Sequence, residues 1–104
     1  MKKEKVKVFI SQPTRDKTNE EIEKERERVK GYLDKAYGTN GYEIIDSFMK
    51  NVNHEQKPLF YLSKSLEMLS QADICYFVKG WQKSRGCLIE FQCCVSYGVD
   101  THYE

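Results

Sequence analysis

The chain has 104 residues, enough for one domain spanning 1–104 with a real core but with no room for a second catalytic lobe. Lys and Arg number 17 against 16 Asp and Glu, a balance that argues against a nucleic-acid polymer bound by phosphate neutralisation. No apolar run reaches the ~18 residues of a membrane span and none reads as a secretory leader, so the expected location is the cytoplasm, with no membrane partner.

After a short basic start, Met1-Lys2-Lys3-Glu4-Lys5, which reads as a solvated tail, Val6-Lys7-Val8-Phe9-Ile10 forms strand one. Ser11-Gln12-Pro13-Thr14 ends it, because Pro13 cannot continue a central ladder. Thr18 and Asn19 are both good N-caps, and Glu20, Glu21 and Glu23 suit the positive end of a helix. Helix one then runs to about Ala36, with Ile22, Val29, Leu33 and Ala36 at helical spacing on one face and a solvated charge run on the other. Gly38 and Gly41 turn the chain into strand two, Tyr42-Glu43-Ile44-Ile45.

The polar stretch from Asp46 to Lys57 is long enough for a functional loop. Pro58 suits the first turn of helix two, where Leu59, Leu62, Leu66 and Leu69 make an apolar stripe. Phe60 and Tyr61 widen that surface beyond what a small domain covers, which predicts a homo-oligomer. Asp73 is a turn residue opening strand three, Ile74 to Val78. Helix three spans roughly Ser84 to Tyr97 and stops at Gly98, and Thr101-His102-Tyr103 is a last short strand. Four cysteines without a C-x-x-C support neither a disulfide framework nor a zinc site; Cys75 and Cys94 read as small core residues. His54 and His102 have no ligand-like spacing with any cysteine, so no metal and no cofactor is expected.

Strict alternation of strands and helices predicts an α/β fold: a single doubly wound, Rossmann-like or flavodoxin-like domain with a short parallel sheet of order 2-1-3-4. That order sets the carboxyl ends of strands one and three side by side. The crevice there, between Ser11–Asn19 and Gly80–Gly86, is the expected ligand site, with Ser11 and Gln12 on one wall. Neither a Gly-x-Gly-x-x-Gly nor a Walker pattern occurs. Ser84 and Gly86 stand where helix three begins, either as an anion site of free amides or, for Ser84, as a plain N-cap. Trp81 can stack on a base or pack against a neighbouring loop or subunit. Glu90, flanked by Leu88, Ile89 and Phe91, is a lone carboxylate in apolar company: a candidate nucleophile, or a helix-surface Glu with i,i+4 contacts.

Three segments carry a resemblance. Val8-Phe9-Ile10-Ser11-Gln12-Pro13, Leu66-Glu67-Met68-Leu69-Ser70-Gln71-Ala72-Asp73, and Gly80-Trp81 through Ser84-x-Gly86-x-x-x-Glu90 are similar to the nucleoside 2-deoxyribosyltransferase superfamily over nearly the whole chain. The resemblance implies that Glu90 attacks the anomeric carbon of a deoxyribosyl group, displaces the base, and is released by water or a second base. It implies that Ser84 contacts a 5'-phosphate, which favours a nucleotide over a nucleoside as the small-molecule ligand. It also exposes two departures. Ser65 stands where the superfamily has an Asp that protonates the leaving base, and Phe9 stands where it often has a Tyr whose hydroxyl holds the nucleophile. Tyr61, Tyr76 or a neighbouring subunit are the expected substitutes. The competing expectation is a non-catalytic domain that binds nucleotides or NAD derivatives, and a third is a structural domain with an idle crevice.

Overall fold

A computed structural model describes residues 4–45 and 57–104. The first three residues, most of the expected polar loop and His54 lie outside the described residues. The elements are β1 (Val6–Ser11), α1 (Asn19–Tyr37), β2 (Tyr42–Ile45), α2 (Pro58–Leu69), β3 (Ile74–Phe77), a single 3-10 turn (Trp81–Lys83), α3 (Arg85–Tyr97) and β4 (Asp100–Tyr103). The four strands form one parallel sheet in the order β2-β1-β3-β4, as the alternation predicts.

Local chemistry sets the boundaries. Thr18 caps α1 through a capping box: its hydroxyl accepts from the Glu21 amide at 3.1 Å, and the Glu21 carboxylate accepts from the Thr18 amide at 3.2 Å. Gly41 turns α1 into β2 where a side chain has no room, since a Cβ there would run into the Tyr37 carbonyl oxygen. Asp73 sits at the amino end of β3 and belongs to the sheet rather than to the crevice. Its amide donates to the Lys7 carbonyl and its carboxylate accepts from the Lys7 amide, both at 2.8 Å.

Strand alternation divides the core in two. Val8 and Ile10 of β1, Ile74 and Tyr76 of β3, and Val78 beyond it pack with Val29 and Leu33 of α1 on one face. Phe9 of β1 and Cys75 and Phe77 of β3 pack with Leu69 of α2 and Cys94 of α3 on the other. α1 therefore covers one side of the sheet and α2 and α3 the other. Ile22, Val29 and Leu33 are buried as the spacing predicts, but Ala36 is exposed, while Tyr37 beside it in the last turn of α1 packs against the core. α2 keeps Leu69 in the core while Leu59 is 72% exposed and Phe60 is exposed beside it. Among the described residues no helix is long and apolar enough to cross a membrane, and no group of three or more His, Cys, Asp or Glu can hold a metal ion.

Candidate functional site

β1 is the strand at which the chain changes direction across the sheet. β2 lies on one side of it and β3 on the other, so the carboxyl ends of β1 and β3 border the switch point. Ser11 ends β1, pairs in register with Phe77, and is followed by a loop strapped down on α1. The Gln12 amide nitrogen donates to the Ile22 carbonyl and to Glu25 Oε1, both at 2.9 Å, and Lys17 Nζ reaches Glu25 Oε2 at 2.7 Å. Gln12 is therefore engaged with α1, its side-chain oxygen accepting from Arg26 at 3.4 Å.

On the other wall, Gly80 (φ +95°) starts the 3-10 turn and Ser84 begins α3. The Ser84 hydroxyl accepts from the Cys87 amide at 3.4 Å, so of its two open roles the cap is formed, with a long bond. Trp81 packs within its own domain: its ring lies 4.8 Å from Phe77, 5.0 Å from Phe91 and 5.6 Å from Tyr103. At Gly86 a Cβ would meet no described atom within 4 Å, which leaves open space beside the first turn of α3.

Glu90 faces inward. Cys87, Glu90 and Cys94 follow the buried stripe of α3 at i, i+3 and i+7, and Glu90 is only 7% exposed. The surface reading of this residue does not hold. Its Oε1 accepts from the Ser11 hydroxyl at 2.6 Å, a short bond to a buried carboxyl. Among the described residues no cation pairs with it. Burial pushes the carboxyl up to about 7, while the Ser11 bond pulls it down. Cys87 completes the group: its thiol lies against the Ser11 and Ser84 hydroxyls, which lower it, and burial outweighs them and raises it. A carboxyl poised near neutrality, with a hydroxyl fixing one oxygen, can act as nucleophile or as general base.

The structure brings Ser11, Glu90 and Cys87 together, with Ser84 and Gly86 at the head of the same helix. Phe9 is buried in the core two residues before Ser11, on the same face of the sheet. Ser65 is half-buried on α2, and Tyr61 stands on that helix edge-on to Phe60 at 5.4 Å. Tyr76 is not available as a substitute acid. It alternates with Cys75 and Phe77, so it points to the α1 face, where it packs on Tyr32 at 5.1 Å.

Residues 7–103 match the model of a domain of unknown function, DUF4406. The chain belongs to the DUF4406 family. Searches of curated proteins and of solved structures return no match. Two features of this DUF4406 domain are absent from the sequence reading: the Ser11–Glu90 bond and the place of Cys87. The first had a legible signal. Ser11 lies two residues after Phe9, so alternation sends both side chains to the sheet face that α3 covers.

Proposed function

We propose that this domain cleaves or transfers the N-glycosidic bond of a deoxynucleotide, with Glu90 as the nucleophile. The observation that carries the reading is a buried carboxyl, unpaired by any described cation, hydrogen-bonded by Ser11 at the switch point of a doubly wound sheet. A carboxylate held in low dielectric is a stronger nucleophile than a solvated one, and raising it to about 7 leaves a substantial ionised fraction at neutral pH. A Glu90 oxygen bonds to C1' of the sugar as the C1'–N bond breaks. The electron pair leaves with the base, which takes a proton. Water or a second base then attacks C1', and the carboxylate departs with configuration retained overall.

The free amides at the head of α3, with Ser84 and Gly86, suit the phosphate of such a ligand, and Trp81 its base. Exposed Leu59 and Phe60 on α2 and Leu88 and Val95 on α3 favour a homo-oligomer, and the compact fold without a spanning helix suits a cytoplasmic protein. A second reading, a nucleotide or NAD-derivative binder without turnover, is favoured by Ser65, which cannot protonate a leaving base at neutral pH.

The test is incubation with deoxynucleoside monophosphates and chromatography for free base. Release by the parent and none by Glu90→Gln is expected, with turnover rising as pH passes through about 7. Equal release by both proteins refutes the nucleophile. Binding without release selects the second reading.

A further inference from the structure

Glu90 has two oxygens, and the fold treats them differently. Oε1 is engaged by the Ser11 hydroxyl at 2.6 Å. Among the described residues Oε2 has no hydrogen-bond partner. Ser11 itself is 1% exposed and locked at the end of a central strand, its carbonyl accepting from the Val78 amide at 2.9 Å. It therefore faces Glu90 from inside the protein and is not placed to touch a ligand in the crevice. We infer that Ser11 is a positioning residue for the proposed reaction: it fixes Oε1 as the bystander oxygen, makes Oε2 the attacking atom, and supplies from β1 the hydroxyl that Phe9 lacks.

This rests on the reading of Glu90 as nucleophile, and it has a kinetic consequence of its own. A hydroxyl donates more strongly to a carboxylate than to an ester carbonyl. When Oε2 bonds to C1', Oε1 becomes the ester carbonyl and the Ser11 bond weakens. When water attacks C1' and the C1'–Oε2 bond breaks, the carboxylate returns and the bond strengthens. Ser11 thus assists the second step and resists the first. Its loss lifts that resistance, so the covalent intermediate forms at least as fast wherever Glu90 is ionised, while its breakdown slows.

Two measurements test this. The first is carboxyl carbon NMR titration, with the Glu90 signal identified by its absence in Glu90→Gln. In Ser11→Ala the Glu90 midpoint should rise by about one pH unit, the size expected for losing one hydrogen bond to a charged group. Ser11→Cys, a closer replacement with a weaker donor, should fall between parent and Ser11→Ala. It also keeps the test open if the alanine variant does not fold. An unmoved midpoint in either variant overturns the assignment, whether or not the protein turns over substrate. The second is steady-state kinetics with intact-mass detection. At pH 9, Ser11→Ala should lower kcat about tenfold, hold kcat/KM, and accumulate a deoxyribosyl-phosphate adduct. An equal fall in kcat and kcat/KM without adduct overturns the second-step role. If the parent releases no base, the nucleophile reading fails, while the titration still decides the placement of Ser11.

Discussion

Replacing Glu90 with Gln should stabilise the protein, and only at neutral pH and above. In the parent, folding carries the carboxyl from 4.5 to about 7 because burial disfavours its charge. At pH well under 4.5 the group is protonated whether folded or unfolded, and the shift has no effect. Between 4.5 and about 7 the unfolded chain is ionised while the folded one holds a proton, so stability falls as pH rises. Above about 7 both states are ionised and the full penalty applies, about 3 kcal/mol at ~1.4 kcal/mol per pH unit. Gln is neutral throughout, and its carbonyl still accepts from Ser11. Its buried amide nitrogen adds a cost of about 1–3 kcal/mol if unpaired, but that cost does not vary with pH. The quantity to measure is therefore the difference in unfolding free energy between Glu90→Gln and parent by urea titration at several pH values. It should grow by about 3 kcal/mol from pH 4 to pH 8, which displaces the relative urea midpoints by roughly 2 M for a domain of this size. A difference that stays flat across that range would show that Glu90 is not ionised in a buried setting, and would remove the electrostatic basis of the proposed nucleophile.

Gly86→Ala should separate ligand space from fold: alanine replaces glycine in the first turn of α3 without meeting any described atom, so stability should hold or rise by up to about 1 kcal/mol in thermal melts, while affinity for a deoxynucleoside monophosphate in calorimetry drops. Unchanged affinity argues that the ligand does not approach this turn. Glu104→Gln cuts a clamp in which Glu104 accepts from Arg28 at 2.9 and 3.0 Å and from the Lys79 amide at 3.1 Å. The Arg28 guanidinium holds this carboxyl below its ordinary value, so the loss, at most about 1 kcal/mol for so exposed a pair, should be present at pH 7 and vanish as pH falls well below 4.5. A loss that persists at pH 3 refutes the ionic origin. Light scattering at high concentration should give a multiple of 12.3 kDa, and Leu59→Lys should lower it; a monomer mass for the parent refutes the oligomer.

The strand order was legible because Val8, Phe9 and Ile10 and the run from Ile74 are apolar on both faces, as only central strands are. Helix limits were legible from Thr18, Pro58, Gly38 and Gly98, whose backbone preferences act locally. Ala36 is exposed because helical spacing gives a face but not which residue of the last turn fills it, and Tyr37 packs on the core there. Tyr76 was a plausible acid in sequence, and only the parity of its position against Cys75 and Phe77 sends it away from Glu90. Trp81 could not be settled from the sequence, because Phe77, Phe91 and Tyr103 reach it from three different elements. Alternation along β1 sends Ser11 to the face that α3 covers, but its partner on that helix lies 79 positions away, and no local pattern singles out Glu90 as that partner.

That separation bears on how the domain comes into being. β1 is the first strand made, yet it lies between two neighbours that follow it, and its pairing with β3 waits for Asp73 to reach Lys7 across 66 residues. Contacts of such span form late and slowly, because the intervening chain must close a long loop first. Until then Val8, Phe9 and Ile10 have no sheet to enter, and an apolar strand left exposed in this way is open to mispairing. The carboxyl at position 90 acquires its burial and its Ser11 bond only after that closure. Its titration near pH 7 is therefore a built-in report of completed assembly: a nascent or partly unfolded chain has an ordinary glutamate there, and only the finished domain has one that holds its proton to neutrality.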